Sequence, residues 1–491
     1  MADAPGNDPV DLPYELLEAI FQYLGPADLC RLAVCSRRWR CVVNQDCLWR
    51  PLCRGNGWQH YYGAEADITK EEPYEPRQTG GGSGPHENVA FQIDSIIAED
   101  NPTGIARTCK WKEVYLKAQH LESNWENSRC HVATLKVFDD GGPAQKARQG
   151  GRLYTRYADG DGDFFALSFS DGTIKVWDVK RGTCAHVFQV ALSKQGNTLK
   201  VKRNMVVVGC ARGLIRAFSV KDGQELPQMK GHKETADIEC IFFDGETVVS
   251  RVVRDDEIRV WGVSDGICRH ILASPDGAQL RDVDYRDQTV VAVYGDSHLR
   301  VWDAGSGRCV HASTGHGASS GRLQSLKLGR GIVASLHHAG PGPSMLVIRS
   351  AKSGDSKFSL PVEAFVERSS TPWIDNCFAN GGLLVRDLPG WTHDGMYLNA
   401  RNGSVHAHYM TKLGFLKAVF RFHGNRCVIE DRYNYKKNDY LIYKACTDGL
   451  KLLSNGNHGQ DSKRLALWMD NTKIVFHSLL ADMNLYVHHY W

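Results

Sequence analysis

One sequence core recurs along this chain at a nearly constant interval, and it limits the fold more than any other feature. A stretch of alternating polarity ends in an aromatic residue at Trp177, Phe218, Trp261 and Trp302, at intervals of 41, 43 and 41 residues. Such a period is typical of four-stranded propeller blades, which bury their faces by stacking on one another. The spacing therefore predicts a mainly β fold built as a ring of sheets.

The four cores, DGTIKVWD, RGLIRAFS, DEIRVWGV and SHLRVWDA, resemble the WD-repeat family. Gly231-His232 and Gly315-His316 support the resemblance, because they stand at turns where new blades are expected to begin. Weaker versions of the core, without the Trp-Asp signature, follow at 345–354, 395–403, 439–449 and 483–491.

These cores give eight third strands, and the eighth runs to Trp491 with no repeat after it. Each of the first seven is expected to be followed by another short strand. The missing fourth strand of the eighth blade is predicted to come from RCHVATLKVF (129–138), whose start is similar to the strands after the first cores. Closing the ring in this way would remove an exposed sheet edge. The fold prediction is a WD-repeat β-propeller over 128–491, with eight blades favoured and seven as the alternative.

The segment 8–55 has a different pattern, rich in Leu at helical spacing. Pro13 suits the first position of a helix, Gly25-Pro26 separates that helix from a second, and Ser36 is a good N-cap for a third. A module of fewer than about 50 residues buries so little apolar surface that it is only marginally stable on its own. Its spacing is equally compatible with docking on another protein and with capping the next domain.

The residues LPYELLEAIFQYLGPADLCRLAVCSRRWRCVV and the following Leu48-Trp49 resemble the F-box without a gap over 11–50. The resemblance implies a small all-α domain that packs on a Skp-type adaptor, which links F-box proteins to a cullin–RING ubiquitin ligase. The adaptor-binding residues that it implies are Leu12, Pro13, Leu16, Leu17, Ile20, Phe21, Leu24, Leu29, Leu32 and Trp49.

Between the two patterns, 56–110 is predicted to be a flexible linker, since 71–88 is rich in Pro, Gly and Ser. A helical pattern resumes over 111–127, a predicted linker helix. Its apolar face comprises Val114, Tyr115, Ala118 and Leu121. The NWxxxxC junction that follows comprises Asn124, Trp125 and Cys130, and it is similar to the start of the propeller in F-box/WD-repeat proteins.

The composition excludes several classes of function. A formal net charge of +3 and a pI near 8.1 are no signature of nucleic-acid binding. No apolar stretch approaches the 18 to 20 residues that cross a bilayer, and the first ten residues have no apolar segment of the kind found in secretory signals. Fifteen scattered cysteines are expected to be reduced, which favours the cytoplasm, the nucleus or both.

No cofactor, metal or catalytic group is expected. The pairs that resemble zinc ligands, such as Cys184/His186, recur once per blade and so cannot converge on one ion. The cysteines between Cys30 and Cys53 lack paired C-x-x-C spacing. The segment DGDGDFF (159–165) begins like a calcium loop, but Phe164 stands where that loop needs Gly, so a blade turn is expected.

A target protein is expected at the rim around the propeller channel, where some F-box/WD-repeat proteins bind phosphorylated segments through arginine. Guanidinium groups bind phosphate with two parallel hydrogen bonds and stay charged. The alternative is that these arginines are ordinary solvated side chains. In WD-repeat rings the turns between second and third strands line this rim, and the first and fourth blades offer no cation at that turn. The predicted rim residues are Arg212, Arg251, Arg254 and Arg281.

Taken together, the resemblances imply a non-catalytic substrate-recognition subunit of an SCF-type ubiquitin ligase. Its F-box would dock on the Skp-type adaptor, and its propeller would hold a target protein for ubiquitination and degradation. One alternative is a WD-repeat scaffold that binds the adaptor without recruiting degraded clients. An enzyme with a propeller pocket is the other, and it would need a convergent polar cluster that the sequence does not reveal.

Overall fold

The computed structural model of this chain consists of a helical unit and a β unit. The helical unit comprises 1–131 with Tyr490 and Trp491, and the β unit comprises 132–489. The residues that the structure describes are 12–62, 68–70, 108–138, 154–191, 198–252, 255–274, 277–295, 298–313, 322–338, 344–362, 371–378, 380–388, 394–400, 403, 405–409, 418–431, 439–446, 449–457, 464–478 and 484–491.

Five α-helices and two short 3-10 turns make up the described part of the helical unit. Ser36 caps the third helix, as predicted, because its hydroxyl accepts a hydrogen bond from the backbone N–H of Trp39 at 3.1 Å. The α-helices are α1 (Tyr14–Phe21), α2 (Pro26–Cys35), α3 (Arg37–Val43), α4 (Asp46–Gly55) and α5 (Lys110–Glu126), and the 3-10 turns are Trp58–Tyr61 and Ile68–Lys70.

Three details differ from the sequence predictions. Pro13 is the N-cap of α1 and not its first residue, because its ψ of 151° is extended. Leu48 and Trp49, which follow the three predicted helices, lie in a fourth helix, α4. The predicted linker 56–110 is packed at its start, where Trp58 and Tyr61 are buried. The linker segments 71–107, including GGGSG (80–84), lie outside the described residues.

The first four sheets of the β unit follow one another along the chain, and each strand pairs antiparallel with the next within its sheet. Blade 1 is β2 (Thr155–Asp161), β3 (Phe164–Phe169), β4 (Thr173–Asp178) and β5 (Thr183–Gln189); blade 2 is β6 (Leu199–Lys202), β7 (Met205–Gly209) and β8 (Ile215–Ser219); blade 3 is β9 (Ile238–Phe243), β10 (Thr247–Val252), β11 (Ile258–Gly262) and β12 (Cys268–Leu272); blade 4 is β13 (Leu280–Arg286), β14 (Thr289–Tyr294), β15 (His298–Asp303) and β16 (Cys309–Ser313).

The remaining sheets continue the pattern, and the last is completed by the strand that precedes blade 1. Blade 5 is β17 (Arg322–Gly329), β18 (Ile332–His338), β19 (Met345–Ser350) and β20 (Ser356–Pro361); blade 6 is β21 (Thr371–Cys377), β22 (Gly382–Leu388), β23 (Asp394–Asn399) and β24 (Val405–Tyr409); blade 7 is β25 (Ala418–His423), β26 (Arg426–Asp431), β27 (Asp439–Cys446) and β28 (Gly449–Asn457); blade 8 is β29 (Arg464–Met469), β30 (Lys473–Ser478), β31 (Leu485–His489) and β1 (His131–Leu135).

The eight sheets form a propeller, which confirms the favoured blade count and the predicted closing strand. The first strands of successive blades contact one another, including β2 with β6, β13 with β17, and β29 with β2. These first strands therefore form the inner wall of the ring. Between neighbouring sheets lie apolar clusters, such as the one that joins blades 1 and 2 through Phe188 and Phe218, whose rings stack at 4.2 Å.

Blade 2 departs from the prediction that every one of the first seven cores is followed by a strand. In the described part of this blade, isolated bridges of Glu225 to Phe218 and of Met229 to Ile215 stand in place of a fourth strand. Pro227 lies between the bridged residues, and proline has no N–H to donate to a ladder. The sequence core was correctly placed, but the proline interrupts the strand that should follow it.

Candidate functional site

Helix α1 presents an apolar stripe to solvent. Leu16 and Ile20 lie at i and i+4 and so share one side of α1, and Tyr23 follows in the turn after the helix. Their exposed fractions are 51%, 49% and 91%. A module that leaves three large apolar side chains this exposed within eight residues has a surface suited to binding another protein.

The ten residues predicted to bind the adaptor do not share one surface. Pro13, Leu16 and Ile20 are exposed, and Leu12, Leu24 and Leu32 are half-buried. In contrast, four of the ten lie in the core of the helical unit with exposures of 6% or less: Leu17, Phe21, Leu29 and Trp49. The wide stripe on α1 thus has one edge in the core and one in solvent. Tyr14, Tyr23 and Val34 are exposed apolar residues that the sequence analysis missed.

Trp49 joins the first helices to α5. Its indole N–H donates to the carbonyl of Val43 at 2.7 Å, and its ring contacts Tyr115 at 5.3 Å between centroids. Lys112 lies over the same indole at 5.4 Å and donates to Asn44 Oδ1 at 3.0 Å. Burial lowers the pKa of Lys112. The amide oxygen of Asn44 and the face of the Trp49 ring offset the cost of burying its charge. The predicted apolar face of α5 is buried in this core.

Two residues of the predicted junction motif contact Tyr490. Asn124 Nδ2 donates to the Tyr490 carbonyl at 2.8 Å, and Trp125 stacks on the Tyr490 ring. Burial raises the pKa of the third, Cys130, to about 11, so its thiol is protonated at neutral pH. The motif therefore serves packing within the helical unit.

At the propeller rim, Arg251 is held by its neighbours. It lies in β10 and not in a turn, and its side chain is 13% exposed. Its Nε is 3.0 Å from a carboxylate oxygen of Glu239, and its Nη1 donates to the carbonyl of Arg281 at 3.2 Å. Because Glu239 already neutralises this guanidinium, Arg251 supports the rim and is poorly placed to bind phosphate.

The other predicted rim residues have different surroundings. Arg212 is exposed in the turn before β8, with a φ of 58°. Arg281 is exposed at a bulge of β13, where the register with β14 shifts between Leu280 and Asp282. Arg254 lies outside the described residues.

A cavity of about 500 Å³ lies along the inner wall of the ring, between the first strands of blades 7, 8, 1 and 2. Its lining includes the cations Arg156, Lys200 and Arg421, the carboxylate of Asp159 and the ring of Trp468. No sequence signal marked the three cations, because they stand on strands far apart in the chain and only ring closure brings them together.

The carboxylates of the calcium-like segment join blades 1 and 2. Asp159 Oδ2 accepts a hydrogen bond from the Val201 N–H at 2.9 Å, and Asp161 Oδ2 accepts one from the Arg203 N–H at 2.8 Å. Gly162 occupies the turn that follows, with a φ of 57°. Within the described ranges, no cluster of three or more His, Cys, Asp or Glu side chains is placed to hold a metal ion.

The Cys-x-His pairs on the outer strands serve contacts between blades. His186 Nε2 lies 2.7 Å from the carbonyl of Val220, and His270 Nε2 lies 3.0 Å from that of Gly305. In each case the imidazole of one blade reaches the turn after the third strand of the next blade. This role accounts for the recurrence of the pairs along the chain.

Comparisons with known proteins agree with this architecture. A protein-family model described as F-box-like matches residues 10–55. The "Probable E3 ubiquitin ligase complex SCF subunit sconB" of Talaromyces marneffei is 27% identical over 205 residues, 35% of this chain and 29% of the relative. The "F-box/WD repeat-containing protein pof1" of Schizosaccharomyces pombe is 26% identical over 165 residues, 26% of this chain and 27% of the relative. The F-box-like match and the names of these relatives support an F-box/WD-repeat family for this chain.

The matched segments span less than a third of these relatives, 29% and 27% of their lengths. Among solved structures, the computationally designed Ika8 protein has a TM-score of 0.49 and 19% identity over 70% of this chain and 98% of its own. The propeller assignment rests on the strand order described above and not on that likeness. No described helix is long and apolar enough to cross a membrane.

Proposed function

We propose that this protein is the substrate-recognition subunit of an SCF-type ubiquitin ligase. In this proposal, helix α1 docks on a Skp-type adaptor and through it on a cullin–RING core, while the propeller holds a target protein. The observation that carries the proposal is the exposed stripe of Leu16, Ile20 and Tyr23 within a match to the F-box. The name of the sconB relative, an SCF subunit, supports it.

The chain acts in this proposal without catalysing a reaction. A receptor raises the effective concentration of target lysines near the ubiquitin-transfer machinery, and the chemistry takes place on other subunits. Binding of a target at the rim would use Arg212 and Arg281, which are exposed there. We place the complex in the cytoplasm, the nucleus or both.

The test is co-purification of the full chain with proteasome activity blocked, comparing wild type with the double variant Leu16→Asp/Ile20→Asp. Both side chains are about half exposed, so the fold should tolerate the charges, while a buried apolar interface should not. Ala27→Asp is the matched control, since Ala27 is exposed near the start of α2, where an acidic residue is favourable.

Adaptor and cullin should vanish from the double variant and remain with the control, while propeller-bound proteins persist in both. Those proteins become candidate targets if their abundance rises when this gene product is depleted. If adaptor and cullin are missing from the wild-type sample, the ligase role fails. If adaptor and cullin are present but depletion of this chain changes the abundance of none of the bound proteins, the chain is a scaffold.

A further inference from the structure

The cavity on the inner wall of the propeller has an excess of positive charge. Three of its lining residues, Arg156, Lys200 and Arg421, are cationic, and Asp159 supplies one carboxylate. Asp159 is already engaged, because its Oδ2 accepts the Val201 N–H. The lysine and arginine side chains come from blades 1, 2 and 7, so the charge is spread around the cavity.

Nearby carboxyl groups do little to cancel this charge. Burial raises the pKa of Asp159, which favours its neutral form. Burial also raises the pKa of Glu430, which interacts electrostatically with Arg421, to about 8. Its Oε2 accepts the Ala466 N–H at 2.5 Å. Even with Asp159 ionised, the lining has three cations and one carboxylate, so the wall keeps a net positive charge.

The same cavity has an aromatic side. Trp468 lines it and is held against the wall because the backbone at Gly160 packs directly on its indole. A Cβ added at Gly160 would come within 2.7 Å of Trp468 Cε2, so only glycine allows this packing. The Arg421 guanidinium is oriented as well, since its Nε donates to the Leu467 carbonyl at 2.9 Å.

We propose that this cavity binds a small molecule that joins an anionic group to a flat apolar body. The anionic group would lie between Lys200, Arg421 and Arg156, and the apolar body would lie against Trp468. A volume of about 500 Å³ is within the range of small-molecule pockets. Apart from Leu167 of β3, the lining residues stand on first strands, so the site lies at the inner wall and includes neither Arg212 nor Arg281. It is also independent of adaptor docking.

The test uses two fluorescent probes with the same rings, 1-anilinonaphthalene-8-sulfonate and its uncharged counterpart N-phenyl-1-naphthylamine. Each is titrated into the full chain and into Lys200→Gln, which removes the charge and keeps most of the side-chain stem. Lys221→Gln is the matched control, because Lys221 is an exposed lysine of the same blade outside the cavity.

The dissociation constant of the sulfonate should rise about tenfold in Lys200→Gln and stay unchanged in Lys221→Gln. That of the neutral probe should change less than about twofold in both. Arg421→Gln provides a second variant should Lys200→Gln unfold, as judged by its thermal midpoint, and the same selective loss is expected. Equal affinity for both probes in wild type, or equal effects of the cavity and control variants, would overturn the proposal.

A hexaglutamate peptide tests whether the cavity binds an acidic polypeptide instead of a small molecule. Six extended residues span about 20 Å, and this peptide lacks the flat apolar body that the proposal places against Trp468. The peptide should therefore leave the bound sulfonate in place. If it displaces the probe from wild type and not from Lys200→Gln, the site binds acidic polypeptide and the small-molecule proposal is wrong.

Discussion

Trp125 and Tyr490 stack face to face, with ring centroids 3.7 Å apart and planes inclined by 10°. The two rings are 0% and 1% exposed. They lie 365 positions apart in the chain, yet both belong to the helical unit. Trp491 adds to the contact, since Lys117 lies over its ring at 5.6 Å. Helix α5 is thus completed by the residues that follow β31.

Replacing Tyr490 should destabilise the helical unit. Tyr490→Ala removes the stack and leaves a void beside Trp125, at a cost of about 3 kcal/mol in unfolding free energy. Amide hydrogen exchange along α5 in the full chain measures the effect. Tyr490→Phe keeps the stacked ring and should exchange nearly as slowly as wild type. Equal exchange in wild type and Tyr490→Ala would mean that the stack contributes nothing to α5.

The periodic parts of the fold were predictable from sequence, and the parts fixed by the ring were not. A recurring core reveals a blade because every blade repeats the same burial pattern, and the strand preceding blade 1 could be matched to the outer strands by its residues. Blade 2 differs from the predicted pattern because a single residue, Pro227, interrupts its fourth strand. Cations on separate strands, such as Lys200 and Arg421, meet only after closure.

The exposed residues of α1 were predictable only in part, for a related reason. A stripe that is wide enough to cover half a helix does not reveal which of its edges packs inward. In α1, Leu17 and Phe21 form the inner edge, and Leu16 and Ile20 form the outer one. The resemblance to the F-box named all four without separating them. Burial in the assembled unit makes that distinction.

The contact between blades 3 and 4 should be sensitive to one methyl group. Gly307 has a φ of 68°, and a Cβ there would lie 2.5 Å from His270 Nδ1. Gly331 has nearly the same φ, 69°, but no described atom lies within 4 Å of its Cβ position. Gly307→Ala and Gly331→Ala should share a backbone cost of about 1 to 2 kcal/mol. Gly307→Ala should cost more than this because the imidazole must move.

Denaturant midpoints of the two glycine variants give the comparison. Adding His270→Ala to Gly307→Ala should recover part of the extra cost, and adding it to Gly331→Ala should recover none. Equal midpoints for the two single variants would show that the His270 side chain moves away from the methyl group at no cost in unfolding free energy.

Arg251 should matter for stability and Arg281 should not. Arg251→Ala leaves Glu239 without its ion-pair partner and removes the hydrogen bond to the Arg281 carbonyl, at a cost of about 1 to 3 kcal/mol. Arg281 is an exposed side chain at a bulge, so Arg281→Ala should change the unfolding free energy by less than about 0.5 kcal/mol. Chemical denaturation of both variants checks this. Similar losses for the two would contradict the supporting role assigned to Arg251.

The stability of the propeller should fall with rising pH because of Glu430. Burial raises the pKa of this group from 4.5 to about 8, so the folded state holds the proton more tightly than the unfolded chain. The stabilising contribution is complete below about pH 4.5 and is lost as the pH rises through about 8. Glu430→Gln keeps an acceptor oxygen for the Ala466 N–H and cannot ionise.

Denaturant midpoints at pH 5, 7 and 9 measure this contribution. Between pH 5 and pH 9, wild type should lose stability relative to Glu430→Gln by an amount on the order of a few kcal/mol. Glu246→Gln is the control, since Glu246 is an exposed carboxylate paired with Arg203, and it should follow wild type at every pH. A constant difference between wild type and Glu430→Gln would mean that Arg421 and the backbone N–H already keep the carboxylate ionised in the fold.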